Sequence, residues 1–278
     1  MSDATVEFEV FLAADELRHI TPLKMLALFR DRMRIVPICA GDERAFLLVM
    51  PRSASQWDTA NYPDATLVIF PVLAAEPSNV MLAASVKAIL FDAAADSFVV
   101  KTCERKLIAA LRLATPTLTY QRALCTFVPS TFVPGVEAER QFVSPDNLAP
   151  TTRMTDHIPP EAHALLAAHD VYSKRELETM FADGSARCLL RLVGDTPVAI
   201  ALSFPNTQTL HEIGSLYVSP SARRRGHADA LVRAALVDNA SRNLRVRYVV
   251  DATNDPSIRL AKRCGLREAM RLEHWLAT

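Results

Sequence analysis

The chain has 278 residues, half of them hydrophobic, and its 31 basic residues balance 31 acidic ones. That length accommodates two domains of ordinary size, each with its own core, and the balance excludes a global attraction to nucleic acid or an acidic membrane as the organising property. The cysteines Cys39, Cys103, Cys125, Cys188 and Cys264 are an odd number without metal-type spacing, the N-terminus is acidic without an apolar signal core, and the most apolar stretch, residues 67–91, is broken by Pro71, Glu76, Pro77, Asn79 and Lys87; free thiols in a reducing cytoplasm are expected, with no metal site and no membrane span.

Residues 14–30 carry Leu17, Ile20, Leu23, Met25, Leu26, Leu28 and Phe29 at helical spacing, with Pro22 expected to divide one segment from the next. Residues 45–50 and 66–72 read as strands, the first ending at Pro51 and the second carrying Val68, Ile69 and Phe70; the stretch 52–64 between them is polar. A helix is expected over 78–92, after Pro77, using Met81, Leu82, Val86, Ile89, Leu90 and Phe91. A strand at 97–101, a helix at 104–113 and a strand at 118–128 follow. That order recurs about 150 residues later, starting at 247–251, so the N-terminal half reads as a degenerate second copy of the C-terminal fold.

Pro129, Pro134, Pro145, Pro150, Pro159 and Pro160 fall close together among polar residues. They mark a linker or crossing segment at 136–160 between expected domains at 1–135 and 161–278. Ser173-x-x-Glu176 opens a helix over 173–183 as a capping box. Strands at 186–193 and 198–204 are joined by the turn Gly194-Asp195-Thr196-Pro197.

From residue 210 a strand pattern through Ile213, Leu216, Tyr217 and Val218 stops at Ser219 and Pro220, crosses Arg223, Arg224, Arg225 and Gly226, and becomes a helix pattern with Ala228, Leu231, Val232, Ala235 and Leu236. Cations are the wrong sign for a helix N-terminus, which already carries partial positive charge from unpaired amides. Arginines placed there imply an anion, and Gly226 lets backbone N–H groups converge on phosphate oxygens. A strand at 246–251, a helix at 255–264 begun by Asn254 as N-cap, and a last strand complete the chain.

The order strand, Arg223-x-x-Gly226-x-Ala228, helix, with Val218 five residues before Arg223 and a second block from Asn254 to Leu266, resembles the acyl-coenzyme A signature of the GNAT acetyltransferase superfamily over residues 186–275. The resemblance implies an α/β (α+β) fold, a mixed, mostly antiparallel central sheet flanked by helices, in a tandem, two-domain form. It implies acetyl-CoA or another acyl-CoA as co-substrate. The backbone of Leu216, Tyr217 and Val218 would lie along the pantetheine arm, Arg223, Arg224, Arg225, Gly226, His227 and Ala228 would wrap the pyrophosphate, and Asn254 and Ser257 would approach the arm from the last helix.

The expected reaction is N-acylation of a primary amine of a small molecule, with neither nucleic acid nor membrane as partner. Glu212, six residues before Val218, is the candidate general base, since a neutral amine is needed to attack a thioester; in a regular strand it shares a face with Leu216 and Val218, and His211 points the other way. Ala261 follows Leu260 where many members of the superfamily carry a tyrosine that protonates the leaving thiolate. Tyr217, Ser257 and Cys264 are the possible substitutes, and the alternative reading is a non-catalytic acyl-CoA-binding or regulatory module.

Overall fold

The computed structural model describes residues 3–94, 96–130, 150–169 and 172–278. In chain order the elements are α1 (Asp3–Ala14), α2 (Ile20–Phe29), β1 (Arg34–Ala40), β2 (Glu43–Pro51), α3 (Gln56–Asn61), β3 (Leu67–Val72), α4 (Asn79–Ala93), β4 (Phe98–Thr102), α5 (Arg105–Ala114), β5 (Thr119–Pro129), β6 (Thr151–Thr155), α6 (His163–His169), α7 (Lys174–Phe181), β7 (Arg187–Val193), β8 (Thr196–Pro205), β9 (Leu210–Val218), α8 (His227–Ser241), β10 (Arg245–Asp251), α9 (Asp255–Arg263) and β11 (Leu266–Ala277). By contact they form two units, Met1–Leu124 with Met270–Thr278, and Cys125–Ala269. Both boundaries therefore fall inside strands, β5 and β11.

The proline-rich stretch is described only in part. Residues 131–149 lie outside the described residues, and the remainder of 136–160 contains a strand, β6, paired antiparallel with β7 from Thr151↔Leu192 to Thr155↔Cys188. Its sequence, TTRMT, has no apolar alternation because its side chains are exposed or only half-buried, and such a strand leaves no signal in the sequence.

In the N-terminal unit the strand order is β1-β2-β3-β4-β11, antiparallel except for the pair β3 and β4. The unbroken apolar run of β2 is explained by burial on both faces: Leu47 and Val49 pack with Met81, Ile89, Leu107 and Leu111 of α4 and α5, and Phe46, Leu48 and Met50 pack with Phe8, Leu12 and Leu26 of α1 and α2. Pro22 does not divide the first helices. It sits in the first turn of α2, where an amide would have no intrahelical partner.

In the C-terminal unit the order is β10-β9-β8-β7-β6. Ala199, Ala201 and Ile213 meet Leu231, Val232 and Ala235 of α8 on one face; Ile200, Leu202 and Phe204 meet Leu165 and Met180 of α6 and α7 on the other. The expected capping box is present: Ser173 Oγ accepts from Glu176 N at 3.3 Å, and Glu176 Oε2 accepts from Ser173 N at 2.9 Å. In each unit a parallel strand pair, β3 with β4 and β9 with β10, is joined by a helix and followed by a second helix and a strand. The repeat seen in the sequence is thus a repeat of topology.

Candidate functional site

Two irregularities in β9 shape the site. The register with β8 runs Ala199↔Val218 and Ile200↔Tyr217, then jumps to Leu202↔Gly214, so Ser215 and Leu216 together oppose Ala201, and Ser215 takes a left-handed φ of 47°. This is a β-bulge, which turns side chains on its two sides to opposite faces. Among the described residues, pairing with β10 ends at Ile213↔Tyr248. Beyond that point the two strands part, and the stretch from Gly214 to Val218 offers its backbone to an added strand.

The fork leads directly into the arginine turn. Ser219 N donates to Val198 O at 2.9 Å, buried Ala222 anchors a single 3-10 turn, and Arg223 Nε donates to Val218 O at 3.2 Å. Arg224 and Gly226 both adopt left-handed backbone, φ 62° and 79°. Gly226 is the N-cap of α8 and supplies no side-chain cap, so the first amides of the helix are left for an external acceptor. A Cβ at Gly226 would meet nothing within 4 Å; glycine is required here by φ, and the space before the helix is open. Arg224 and Arg225 are exposed beside it. These residues fit a pyrophosphate. The His227 side chain is 4% exposed, and burial, with Arg191 and Arg225 nearby, holds its ring below the usual imidazole range.

Glu212 departs from the strand face expected for it. The bulge sets it opposite Phe204, on the face of Tyr217 and not of Leu216 and Val218. There it is 5% exposed, and its Oε2 accepts from Arg247 Nη2 at 2.5 Å and Nε at 3.1 Å. The two residues are register partners on parallel strands. Arg247 Nε also donates to Asn206 Oδ1 at 2.7 Å, and Oε1 of Glu212 lies toward Gly214. Tyr172, its ring 5.7 Å from that of Phe204, feels the same pair: burial and the Glu212 charge push its phenol well above the ordinary range. Arg247, Asn206 and Tyr172 were not legible as site residues, because a lone arginine in a strand or an asparagine in a turn has no distinguishing spacing.

His211 lies on the α8 side, its ring pushed down to about 4 by burial and by Arg242. It stays neutral and away from the fork. On α9, Asn254 Oδ1 accepts from Ser257 N at 3.2 Å as the expected N-cap, and Ala261 is fully buried. Cys264 bonds Asp229 at 3.7 Å, and burial pushes its thiol up to about 12, away from the near-neutral value that suits a general acid. Tyr217 packs with the α6 and α7 core. Tyr248, missed in the sequence, stands at the apex of the fork with its hydroxyl on Ser257, its phenol raised by burial.

Residues 153–266 match the model of the Acetyltransferase (GNAT) family. That segment, less than half of the chain, is a GNAT family domain. Solved GNAT structures share the fold of the chain at low identity. A GCN5-related N-acetyltransferase from Sphaerobacter thermophilus aligns with a TM-score of 0.56 and 18% identity, covering 84% of this chain and 76% of that one. One from Kribbella flavida gives 0.57 and 13%, covering 93% and 95%. A tandem GNAT protein from the clavulanic acid biosynthesis pathway gives 0.51 and 14%, covering 92% and 87%. No curated protein matches the chain. The GNAT family uses an acyl-CoA, and among the described residues no helix is long and apolar enough to cross a membrane.

Proposed function

We propose that this chain transfers an acyl group, most simply acetyl, from coenzyme A directly to a primary amine of a small molecule. The observation that carries the reading is the continuity of the fork between β9 and β10 with the uncapped start of α8 at Gly226. One runs along the length of an extended pantetheine, and the other presents amides and arginines to its phosphates. The thioester supplies an activated acyl carbon.

The chain does the rest by position. Backbone amides near Val218, past the bulge, face the developing oxyanion and need no reorganisation to stabilise it. Glu212, whose Oε1 lies toward Gly214, accepts a proton from the acceptor ammonium. The nitrogen then bonds the acyl carbon and the carbon–sulfur bond breaks. Two protons leave the nitrogen in all, one finishing on sulfur and one in solvent.

Calorimetric titration with acetyl-CoA tests the reading. Wild-type protein binds, and Gly226→Val, which forces a β-branched residue into left-handed backbone, weakens binding by about 10-fold to 100-fold, the equivalent of 1–3 kcal/mol of strain. Equal affinity in the variant contradicts the placement. Ala261 at the usual tyrosine position favours a second reading, a non-catalytic acyl-CoA-binding module. Tight binding without thiol release for any amine supports that reading instead.

A further inference from the structure

The buried cluster beside the fork carries more than a base. We infer that the acceptor is a zwitterion, with an ammonium and a carboxylate one carbon apart as in an α-amino acid, and that Glu212, Arg247 and Asn206 hold its two charges. This rests on the acyl-transfer reading above and names the acceptor class for it.

The ion pair is not needed by the fold. In both units the parallel strands part after an apolar pair, Ile69↔Val100 in one and Ile213↔Tyr248 in the other; one step before it, the N-terminal unit has Val68↔Val99 where the C-terminal unit has Glu212↔Arg247. Both valines are fully buried. Two valines serve the same strand geometry, and buried ion pairs add little stability over apolar residues of similar volume.

Asn206 supplies an independent observation. Arg247 Nε can only donate, so the Asn206 atom 2.7 Å from it is the amide oxygen. The Nδ2 group of Asn206, on a residue 7% exposed, is then a buried donor with no partner among the described residues. An orphaned buried donor is costly, and beside a guanidinium it marks a place for an anion. Gly214 lets the cluster pack close: a Cβ there would come within 3.1 Å of Phe204 Cε1 and 3.6 Å of Glu212 Oε1.

A zwitterion satisfies the whole set at once. Its carboxylate accepts from Arg247 and from Asn206 Nδ2 while its ammonium donates to Glu212, so one ion pair is exchanged for two and no charge is left buried alone. A simple amine displaces Arg247 from Glu212 and strands the guanidinium. A simple carboxylic acid draws Arg247 from Glu212 and brings no cation in exchange. The site therefore selects against either half of the acceptor, which breaks the ion pair without replacing it.

The test uses the full-length chain with acetyl-CoA and follows free thiol. The acceptors are the common α-amino acids, each compared with the amine left on loss of its carboxylate and with its carboxamide. The expected result is an amino acid preferred by at least about 100-fold in kcat/KM over both partners. Asn206→Ala raises KM for that amino acid with little change in kcat, and Arg247→Gln narrows its preference over the matched amine. A matched amine used as well as its amino acid overturns the inference and leaves acyl transfer standing. No release with any member of the panel overturns both. Glu212→Val combined with Arg247→Val, copied from the N-terminal unit, folds normally and loses amine-dependent thiol release, so that loss reads the site and not the stability.

Discussion

Glu212 was legible as a candidate, but its surroundings were not. The count of six residues to Val218 is a property of the sequence, whereas the face the carboxylate uses depends on one extra residue at Ser215, and no side chain there announces a bulge. Its partner Arg247 is reached only through the register of β9 with β10. Breaking this pair on one side is costly: Arg247→Ala is expected to lose about 3–5 kcal/mol in urea unfolding by leaving the Glu212 charge buried without its guanidinium, and replacing both residues by valine to recover most of it. Equal stability of the single and double variants contradicts the pairing. His211 gives a pH signature. Its folded value, about 4, is below the ordinary 6.5, so the unfolded chain binds more protons; the contribution is fully present above 6.5 and declines as pH falls toward 4, by up to about 1.4 kcal/mol per unit. His211→Phe should flatten that part of the stability curve of the C-terminal unit, and an unchanged slope speaks against a buried neutral ring.

Elements with local punctuation could be read directly. Ser173 and Glu176, Asn254 with Pro256, and Gly194 each act within a few residues, and each appears in the structure in the expected role. Elements whose reason is tertiary were missed or misplaced. β1 carries Pro37 and pairs with β2, and β6 is polar. The exchange of β11 was also invisible: its last residues pair with β4 from Glu273↔Thr102 to Ala277↔Phe98, and His274 there is buried with its Nδ1 on the Tyr62 hydroxyl. A chain ending at Ala269 therefore strips the strand paired with β4 from the N-terminal unit. We expect its stability to fall by at least about 3–5 kcal/mol, the scale of losing buried Leu276 together with its neighbours, seen as early loss of ellipticity on heating; an unchanged melting curve contradicts the exchanged strand.

On the scale of the molecule, among the described residues, one topology occurs twice and the glycine-capped, arginine-flanked helix start once. In the N-terminal unit the stretch before α4 has no glycine and no basic residue, and the helix start is satisfied from within: Ser78 Oγ accepts from Met81 N at 3.1 Å, and Glu43 Oε2 accepts from Ser78 N at 3.2 Å. A carboxylate of the chain stands where the C-terminal unit leaves room for phosphate. His19 Nε2 lies 3.0 Å from Leu73 O, past the end of the β3 and β4 pairing. Calorimetry should accordingly find one acetyl-CoA per chain, and a second site retained in Gly226→Val would contradict the assignment of a single phosphate turn.

Amine-dependent release of free thiol from acetyl-CoA by the purified chain tests the central claim most directly. The account predicts release above the rate of spontaneous hydrolysis with at least one primary amine, lost in Gly226→Val. Binding of acetyl-CoA with no amine-dependent release, or release that Gly226→Val leaves unchanged, would contradict it.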